Sequence, residues 1–157
     1  HPGPASLAEG DQPVFWANTT NVSRFSGISH LHIAAKNTTI VDGMSRTYLV
    51  GEKRLDMAHY DDGISPGDNE TMYTGFCSDL YRFAGVIEGS DPFLPPLPDS
   101  AEITGISGHV RFGSAHPSGA NMAFADGSVR FVLYDVDPEV HLRAGHRSDL
   151  GVPIASL

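Results

Sequence analysis

A hairpin signal near the carboxyl end constrains the fold more than any other feature of this chain. Two apolar-rich runs, 121–125 and 128–133, are joined by Asp126 and Gly127. An Asp-Gly pair between two such runs favours a two-residue type I′ turn, because that turn requires positive φ at both central residues. The chain is therefore predicted to contain an antiparallel hairpin at Asp126-Gly127.

The second run has the alternation of a strand with two different faces. Val129, Phe131 and Leu133 form an apolar face, and the positions between them carry a mixed set of side chains. Before the first run, residues 116–119 read His-Pro-Ser-Gly, which is a turn-forming cluster. We expect the chain to enter the hairpin from this turn.

His116 and Asp126 have the chemistry of an acid–base pair, but we interpret both as structural. An Asp side chain in a turn bonds nearby backbone, and His116 is placed to hydrogen-bond backbone or Asp126 across the base of the hairpin. The sequence contains no phosphate loop, nucleophile elbow, zinc-protease or dinucleotide-binding pattern. It therefore predicts no catalytic residue and assigns His116, Asp126 and Gly127 to a structural motif.

Composition and charge limit the partners of the chain. Its 157 residues suit one domain, and its 17 Gly and 11 Pro indicate many turns and few long helices. The net charge of −9 argues against binding to nucleic acid or to an anionic membrane surface. No apolar run approaches the roughly 20 residues of a membrane span. The single cysteine, Cys77, excludes an intramolecular disulfide, and we interpret it as a small buried hydrophobe.

Four ordered segments resemble a bacterial prepilin-type family, domain of unknown function 1559, which has an H-x9-D-G signature. Nine residues separate His116 from Asp126-Gly127, which matches that signature. The other segments are VDGMSRTYLVGEK at 41–53, DNETMYTGF at 68–76 and DPEVHLRAGHRSDLGVPIAS at 137–156. The resemblance runs from about Val14 to the end of the chain.

The resemblance implies the carboxyl-terminal part of a pilin-like protein that is exported to the bacterial surface. The implied fold is mainly β, with an antiparallel sheet, long loops and little helix. Precursors in this family begin with a prepilin-like leader and a long apolar helix, and the sequence contains neither. Processing, a different export device, and a sequence limited to the ordered part remain open as explanations.

The chain divides into an arm at 1–13 and a single β-rich domain at 14–157. The arm is rich in Pro and Gly and cannot bury enough apolar surface to fold alone. It is either a frayed terminus or an extended arm that orders against a neighbouring subunit. Strands are predicted at 14–17, 31–34 and 46–50, and the Pro-rich stretch 86–100 is predicted to be a connector packed over the core.

One short helix is predicted at 138–144. Asp137 suits its N-cap, Pro138 its first turn and Gly145 its end. A helix of two turns needs tertiary packing, which we assign to Val140.

Two groups of residues have the composition of a metal site. His30 and His32 would share a face of the strand predicted at 31–34 and its approach, although a half-exposed strand face explains them better. The loop 55–70 carries several carboxylates that are either solvated or ligands of calcium, which prefers oxygen ligands in irregular loops. The calcium candidates are Asp61, Asp62, Asp68 and Glu70, with Asp56 in the same loop.

Four of the five asparagines begin an N-x-S/T sequon. Such sequons mark surface loops of exported proteins when glycosylated, although most bacteria lack general N-glycosylation. The candidates are Asn18, Asn21, Asn37 and Asn69, and Asn121 is the asparagine outside a sequon.

Two functions are compatible with these patterns. The first is a non-enzymatic structural subunit of an extracellular filament or pseudopilus-like assembly, without a cofactor, which joins copies of itself through its arm and sheet surfaces. The second is a cell-surface binding module for a carbohydrate or small solute, with or without calcium, whose site is the loop 56–70. The family's naming history, which implies solute binding, favours the second.

Overall fold

The computed structural model describes residues 6–14, 26–30, 33–73, 77, 79–85, 93–100, 103 and 105–149. The strands are β1 (Ser29–His30), β2 (Ile33–Ala34), β3 (Tyr48–Gly51), β4 (Leu97–Pro98), β5 (Gly113–Ser114), β6 (Gly119–Phe124) and β7 (Val129–Leu133). The helices are α1 (Leu7–Gly10), α2 (Gly105–His109) and α3 (Pro138–Ala144), with one-turn 3₁₀ helices at Asn37–Thr39 and Met57–His59. The predicted class is confirmed: the fold is mainly β, with long loops and little helix.

The central sheet is antiparallel and has the strand order β3-β6-β7. Asn121 lies opposite Phe131 in the β6–β7 pair, and Tyr48 lies opposite Phe124 in the β3–β6 pair. The register of β3 shifts between Tyr48 and Val50, which marks a β-bulge. The strand predicted at 46–50 is thus present, displaced by one to two residues.

The hairpin between β6 and β7 is present, but its turn is not the predicted type I′ turn. The N–H of Gly127 donates to the carbonyl of Phe124 (2.9 Å), and the N–H of Phe124 donates to the carbonyl of Ser128 (2.8 Å). This pattern encloses a three-residue loop, Ala125 to Gly127, that ends with a glycine in the left-handed conformation, at φ 86°. Such a loop requires positive φ only at its last residue, which is why Asp126 fits its centre.

The core lies between the inner face of the sheet and α3. Phe124 and Met122 are fully buried, and Tyr48 and Val132 are nearly so. Ala144 of α3 packs on this cluster, and the partly buried Phe112 and Val136 flank it.

The face of β7 that points toward the core is the one with the mixed set of side chains, Arg130 and Val132. Val132 points into the core, whereas Val129, Phe131 and Leu133 are exposed. Arg130 is accommodated inside because its guanidinium lies 4.2 Å from the centre of the Phe124 ring and donates to the carbonyl of Ser45 (2.9 Å).

Helix α3 has the predicted ends but a different packing face. Its N-cap is Asp137, whose carboxylate accepts from the N–H groups of Glu139 (2.9 Å) and Val140 (3.1 Å), and its C-cap is Gly145. His141 and Ala144 are the buried residues of the helix. The prediction that the helix packs through Val140 is therefore wrong, because its buried residues begin one position later, at His141.

The described part of the strand predicted at 31–34 is β2, which pairs with β1. His30 pairs with Ile33 and Ser29 with Ala34 in an antiparallel arrangement, so β1 and β2 form a short hairpin. Leu31 and His32 lie outside the described residues, as do 15–17 of the strand predicted at 14–17. The shared strand face predicted for His30 and His32 therefore stays a prediction.

The described part of the Pro-rich stretch, 93–100, packs against the core as expected. Leu94 and Pro96 are fully buried, and β4 pairs in parallel with β5, with Leu97 opposite Gly113. A Cβ at Gly113 would collide with the carbonyl oxygen of Leu97. The absence of a side chain at Gly113 is therefore what permits this close pairing.

Candidate functional site: the signature hairpin and the outer face of its sheet

The tip of the hairpin is held by its own side chains and by a neighbouring turn. The Asp126 carboxylate accepts from the N–H (2.9 Å) and the hydroxyl (2.7 Å) of Ser128. These bonds, the hydroxyl first, lower the pKa of Asp126 below its usual value. The N–H groups of Ala125 and Asp126 donate to the carbonyls of Thr47 (2.9 Å) and Met44 (3.1 Å). The Asp-Gly part of the signature thus anchors the hairpin to the segment that leads into β3.

His116 lies at the other end of the hairpin and has different partners. Its N–H donates to the Ser114 hydroxyl (3.0 Å), and its carbonyl accepts from the Tyr134 hydroxyl (3.0 Å). Its ring packs edge-on against Phe131, with centroids 5.9 Å apart. The described contacts of the His116 ring include neither of the predicted hydrogen bonds, to Asp126 or to backbone. His116 and Asp126 lie at opposite ends of β6, so their side chains do not meet.

Glu52 connects His116 to the sheet. Its carboxylate accepts from the N–H (2.6 Å) and the side-chain amide (3.2 Å) of Asn121. The Nε2 atom of His116 lies 3.4 Å from Glu52 Oε1 and 3.4 Å from Asn121 Nδ2. These three residues form a half-exposed polar cluster, which we call the signature cluster, beside Phe131.

Sequence reasoning did not select Glu52 or Asn121 as site residues. Both nevertheless carried a signal: Glu52 lies in the segment 41–53 that resembles the family, and Asn121 is the asparagine outside a sequon. The signature cluster binds β3, the turn before β6 and β6 itself together. Its contacts therefore connect the end of β3 with the turn and first strand of the hairpin, which are distant from it in sequence.

The outer face of the sheet exposes a row of apolar side chains beside the signature cluster. Val129 is 64% exposed, Phe131 46% and Leu133 50%, although the three form one continuous stripe along β7. Val50, 61% exposed, lies opposite Ala123 on the same face. Contiguous exposed apolar surface on a globular domain marks an interaction site.

A cleft of about 370 Å³ opens beside the signature cluster. The Tyr60 hydroxyl donates to Asp99 Oδ2 (2.6 Å), which raises the pKa of Tyr60 to about 12. The N–H of Leu55 donates to the other oxygen of Asp99 (2.8 Å), so this carboxylate is held in place. The lining residues are Glu52, Lys53, Leu55, Tyr60, Asp99, Ser114 and Ala115.

The acidic loop does not bring its carboxylates together. Asp62 binds His59 (2.8 Å) and the N–H of Ile64 (2.9 Å), and Asp68 forms an ion pair with Lys53. Asp56 is buried and caps the turn at Met57–His59, while Asp61 and Glu70 are exposed. Among the described residues, no group of three or more His, Cys, Asp or Glu side chains could hold a metal ion. The calcium site stays a prediction, and this geometry adds no support to it.

The described sequons lie on the surface. Asn37 and Asn69 are both exposed, as a glycan acceptor must be, and Asn18 and Asn21 lie outside the described residues. Glycosylation of these sites stays a prediction. Cys77 is half-buried and free rather than fully buried.

The comparisons with known proteins identify the family of the chain. No curated protein and no solved structure is significantly similar to the chain. None of the described helices has the length and apolar character needed to cross a membrane. A family model described as a protein of unknown function (DUF1559) matches residues 3–139, which includes most of the predicted arm and ends at the start of α3. Since this match covers most of the sequence, the chain belongs to the DUF1559 family.

Proposed function

We propose that the chain is a non-enzymatic structural subunit of an extracellular bacterial filament and that it joins copies of itself. The observation that carries this proposal is the exposed apolar surface formed by Val50, Val129, Phe131 and Leu133. A surface of this kind costs solvation free energy in an isolated monomer and is stabilised when another surface covers it. The prepilin-type resemblance of the four sequence segments supports the same reading.

The contacts of the signature residues also support a structural role. The Asp126 carboxylate accepts hydrogen bonds from Ser128. The His116 side chain contacts Glu52, Asn121 and Phe131. Each of these contacts joins two parts of the fold. A replacement of His116 by Ala is therefore expected to lower the stability or the assembly of the protein.

The arm supplies a second candidate contact. Its described part is not extended: α1 is a single helical turn capped by Ser6, and Leu7 is 90% exposed. An apolar side chain this exposed is available to a neighbouring subunit. In the assembled state we expect Leu7 to be covered.

Negative-stain microscopy of the full chain tests the proposal. We expect helical fibres whose number falls when Leu7 is replaced by Ser, with no change in the melting temperature because Leu7 makes no core contact. The matched control is Val41→Ser, since Val41 is also an exposed apolar residue. A protein that stays monomeric at every concentration and salt condition tried would contradict the proposal.

The cleft favours a second candidate function, a binding module for a carbohydrate or small solute. Tyr60 belongs to the loop 56–70, and its ring and Asp99 offer the aromatic surface and fixed acceptor that sugar hydroxyls require. Calorimetric titration of the chain with a panel of monosaccharides, with and without calcium, tests this function. Binding that is lost in Asp99→Asn, with the melting temperature unchanged, would support it, and the absence of binding across the panel would contradict it.

A further inference from the structure

The hydrogen-bond register of β7 shows which of its backbone groups are free. The pairs Phe124–Ser128 and Ser118–Tyr134 at the two ends of the hairpin are hydrogen-bonded. Hydrogen-bonded and non-bonded pairs alternate along an antiparallel ladder, so Arg130 and Val132 direct their N–H and C=O groups to β6. The odd-numbered residues of β7 direct theirs to the open side of the sheet.

The open edge of β7 has no described partner strand. β7 is an edge strand of the central sheet. Of the backbone groups that it directs to the open side, the carbonyl of Leu133 already accepts a hydrogen bond from the N–H of Val136. The side chains of the same odd-numbered residues are the exposed Val129, Phe131 and Leu133. The same residues of β7 therefore carry both the backbone groups that face the open edge and the exposed apolar side chains.

Apart from the inward-pointing Arg130 of β7, the described part of this edge lacks the features that prevent strand addition. Proteins protect an exposed edge with charged side chains, Pro, bulges or a covering segment. The outward row of β7 contains none of these within the described residues. The opposite edge strand, β3, does: it has a bulge between Tyr48 and Val50, and it continues into Lys53 and Arg54.

Charge and symmetry select a second copy of this chain as the partner. With a net charge of −9, two copies repel each other over most of their surfaces. The outward row of β7 is uncharged, so the strand itself adds no repulsion between two copies that meet there. The row is also symmetric about Phe131, because an aliphatic residue stands two positions before it (Val129) and another two positions after it (Leu133). Two antiparallel copies of the row therefore present matching side chains to each other.

We propose that two copies join through β7, antiparallel, about a two-fold axis at Phe131. Each Phe131 then pairs with Phe131 of the second copy, and Val129 pairs with Leu133 of the second copy. Because the carbonyl of Leu133 is already bonded to the N–H of Val136 in each copy, the three residue pairs form about four intermolecular hydrogen bonds and merge the two sheets into one.

This inference rests on the proposed self-association and specifies one of its contacts. A two-fold contact uses the same patch on both copies and closes on itself. Growth of a filament from such dimers requires a second, different contact, for which Leu7 and the rest of the outer face are available.

Cysteine cross-linking tests the two-fold register. In a Cys77→Ser background, Phe131→Cys places two thiols in a hydrogen-bonded pair with Cα atoms about 5.5 Å apart, within disulfide range. Val129→Cys is the matched control, because its two copies lie about 14 Å apart along the strands. We expect Phe131→Cys to form a disulfide-linked dimer in a glutathione buffer and Val129→Cys to form at least about tenfold less. Equal cross-linking of the two variants would overturn the register.

A charge placed on the edge tests the contact without a cysteine. Val129→Lys should weaken dimerisation at least about tenfold in sedimentation experiments, because a lysine would be buried against the second copy. Val41→Lys, at a similarly exposed apolar position outside the central sheet, should leave the dissociation constant within about twofold. Equal effects of the two substitutions would overturn the assignment to β7.

The two proposals fail in different ways. Fibres that form without a Phe131→Cys cross-link would overturn the β7 contact and leave the filament subunit standing. Cross-linked dimers without fibres would overturn the filament subunit and leave the β7 contact standing.

Discussion

His141 shows how burial sets the chemistry of a single residue in this protein. The side chain is fully buried, and its Nδ1 atom shares a hydrogen bond with the Tyr48 hydroxyl (3.2 Å). Its Nε2 atom has no hydrogen-bond partner among the described residues, and its ring meets Phe112 edge-on. Burial, and secondarily the charge of Arg111, lowers the pKa of His141 to about 4. His141 is thus a neutral core residue at neutral pH.

Acidification should destabilise the fold through His141. Its folded pKa of about 4 lies below the unfolded value of 6.5, so between these values the unfolded chain binds more protons. Stability is then fully present above about pH 6.5 and declines to about pH 4, by about 3 kcal/mol for this residue. Urea unfolding measured across this range should show the loss.

The variant His141→Gln should show a smaller loss of stability between pH 7 and pH 4 than the wild type. The control is His59→Gln, since the hydrogen bond to Asp62 raises the pKa of His59 and its shift has the opposite sign. An unchanged pH dependence in His141→Gln would show that other groups cause the acid sensitivity.

Gly127 carries the backbone requirement of the hairpin turn. Its φ is 86°, and no heavy atom lies within 4 Å of the position a Cβ would take. The cost of Gly127→Ala therefore comes from the backbone alone, and we expect unfolding free energy to fall by about 1–2 kcal/mol. Gly127→Asn should cost less, because Asn tolerates this conformation. A Gly127→Ala variant as stable as Gly27→Ala, where φ is not positive, would contradict this account.

At the scale of elements, α3 depends on one cap and one buried stripe. Two backbone N–H groups of its first turn are satisfied by the Asp137 carboxylate, and its packing against the sheet uses Ala144 and His141. On its exposed side Arg143 forms an ion pair with Glu139 (2.6 Å). A helix this short relies on such contacts because it is marginal alone.

Replacement of Asp137 by Ala should lower the unfolding free energy by about 1 kcal/mol, since it leaves two N–H groups without their acceptor. Asp135→Ala is the matched control: Asp135 is an exposed carboxylate in the same turn and has no described hydrogen bond to α3. Thermal unfolding of both variants would measure the difference. Equal losses would mean that charge rather than capping matters at this turn.

At the scale of the whole molecule, the acidic charge opposes the assembly we propose. A net charge of −9 on each copy repels its neighbours, and salt screens this repulsion with a Debye length of about 8 Å at physiological ionic strength. Self-association should therefore strengthen as salt rises from about 10 mM to about 150 mM. Sedimentation at these two concentrations tests this, and a weaker assembly at the higher one would indicate ionic contacts between subunits.

Most elements could be predicted because their signals are local. The caps of α3, the Asp-Gly turn and the alternation of β7 each depend on a few neighbouring residues whose conformational preferences dominate. The described part of the strand predicted at 31–34 forms β2, but its antiparallel pairing with β1 could not be predicted, because a short apolar run does not reveal its partner strand. The exact turn type failed for a related reason: the docking of the tip on Met44 and Thr47 is a non-local contact.

The sequence alone determined where the chain turns and that one row of β7 is apolar, since these are properties of local backbone preference and side-chain order. Only the tertiary structure decided that this apolar row faces outward. Packing of α3 and the stacking of Arg130 on Phe124 occupy the other face, and such contacts between distant segments leave no periodic trace in the sequence. The same holds for the signature cluster, in which Glu52 reaches His116 and Asn121 across the fold.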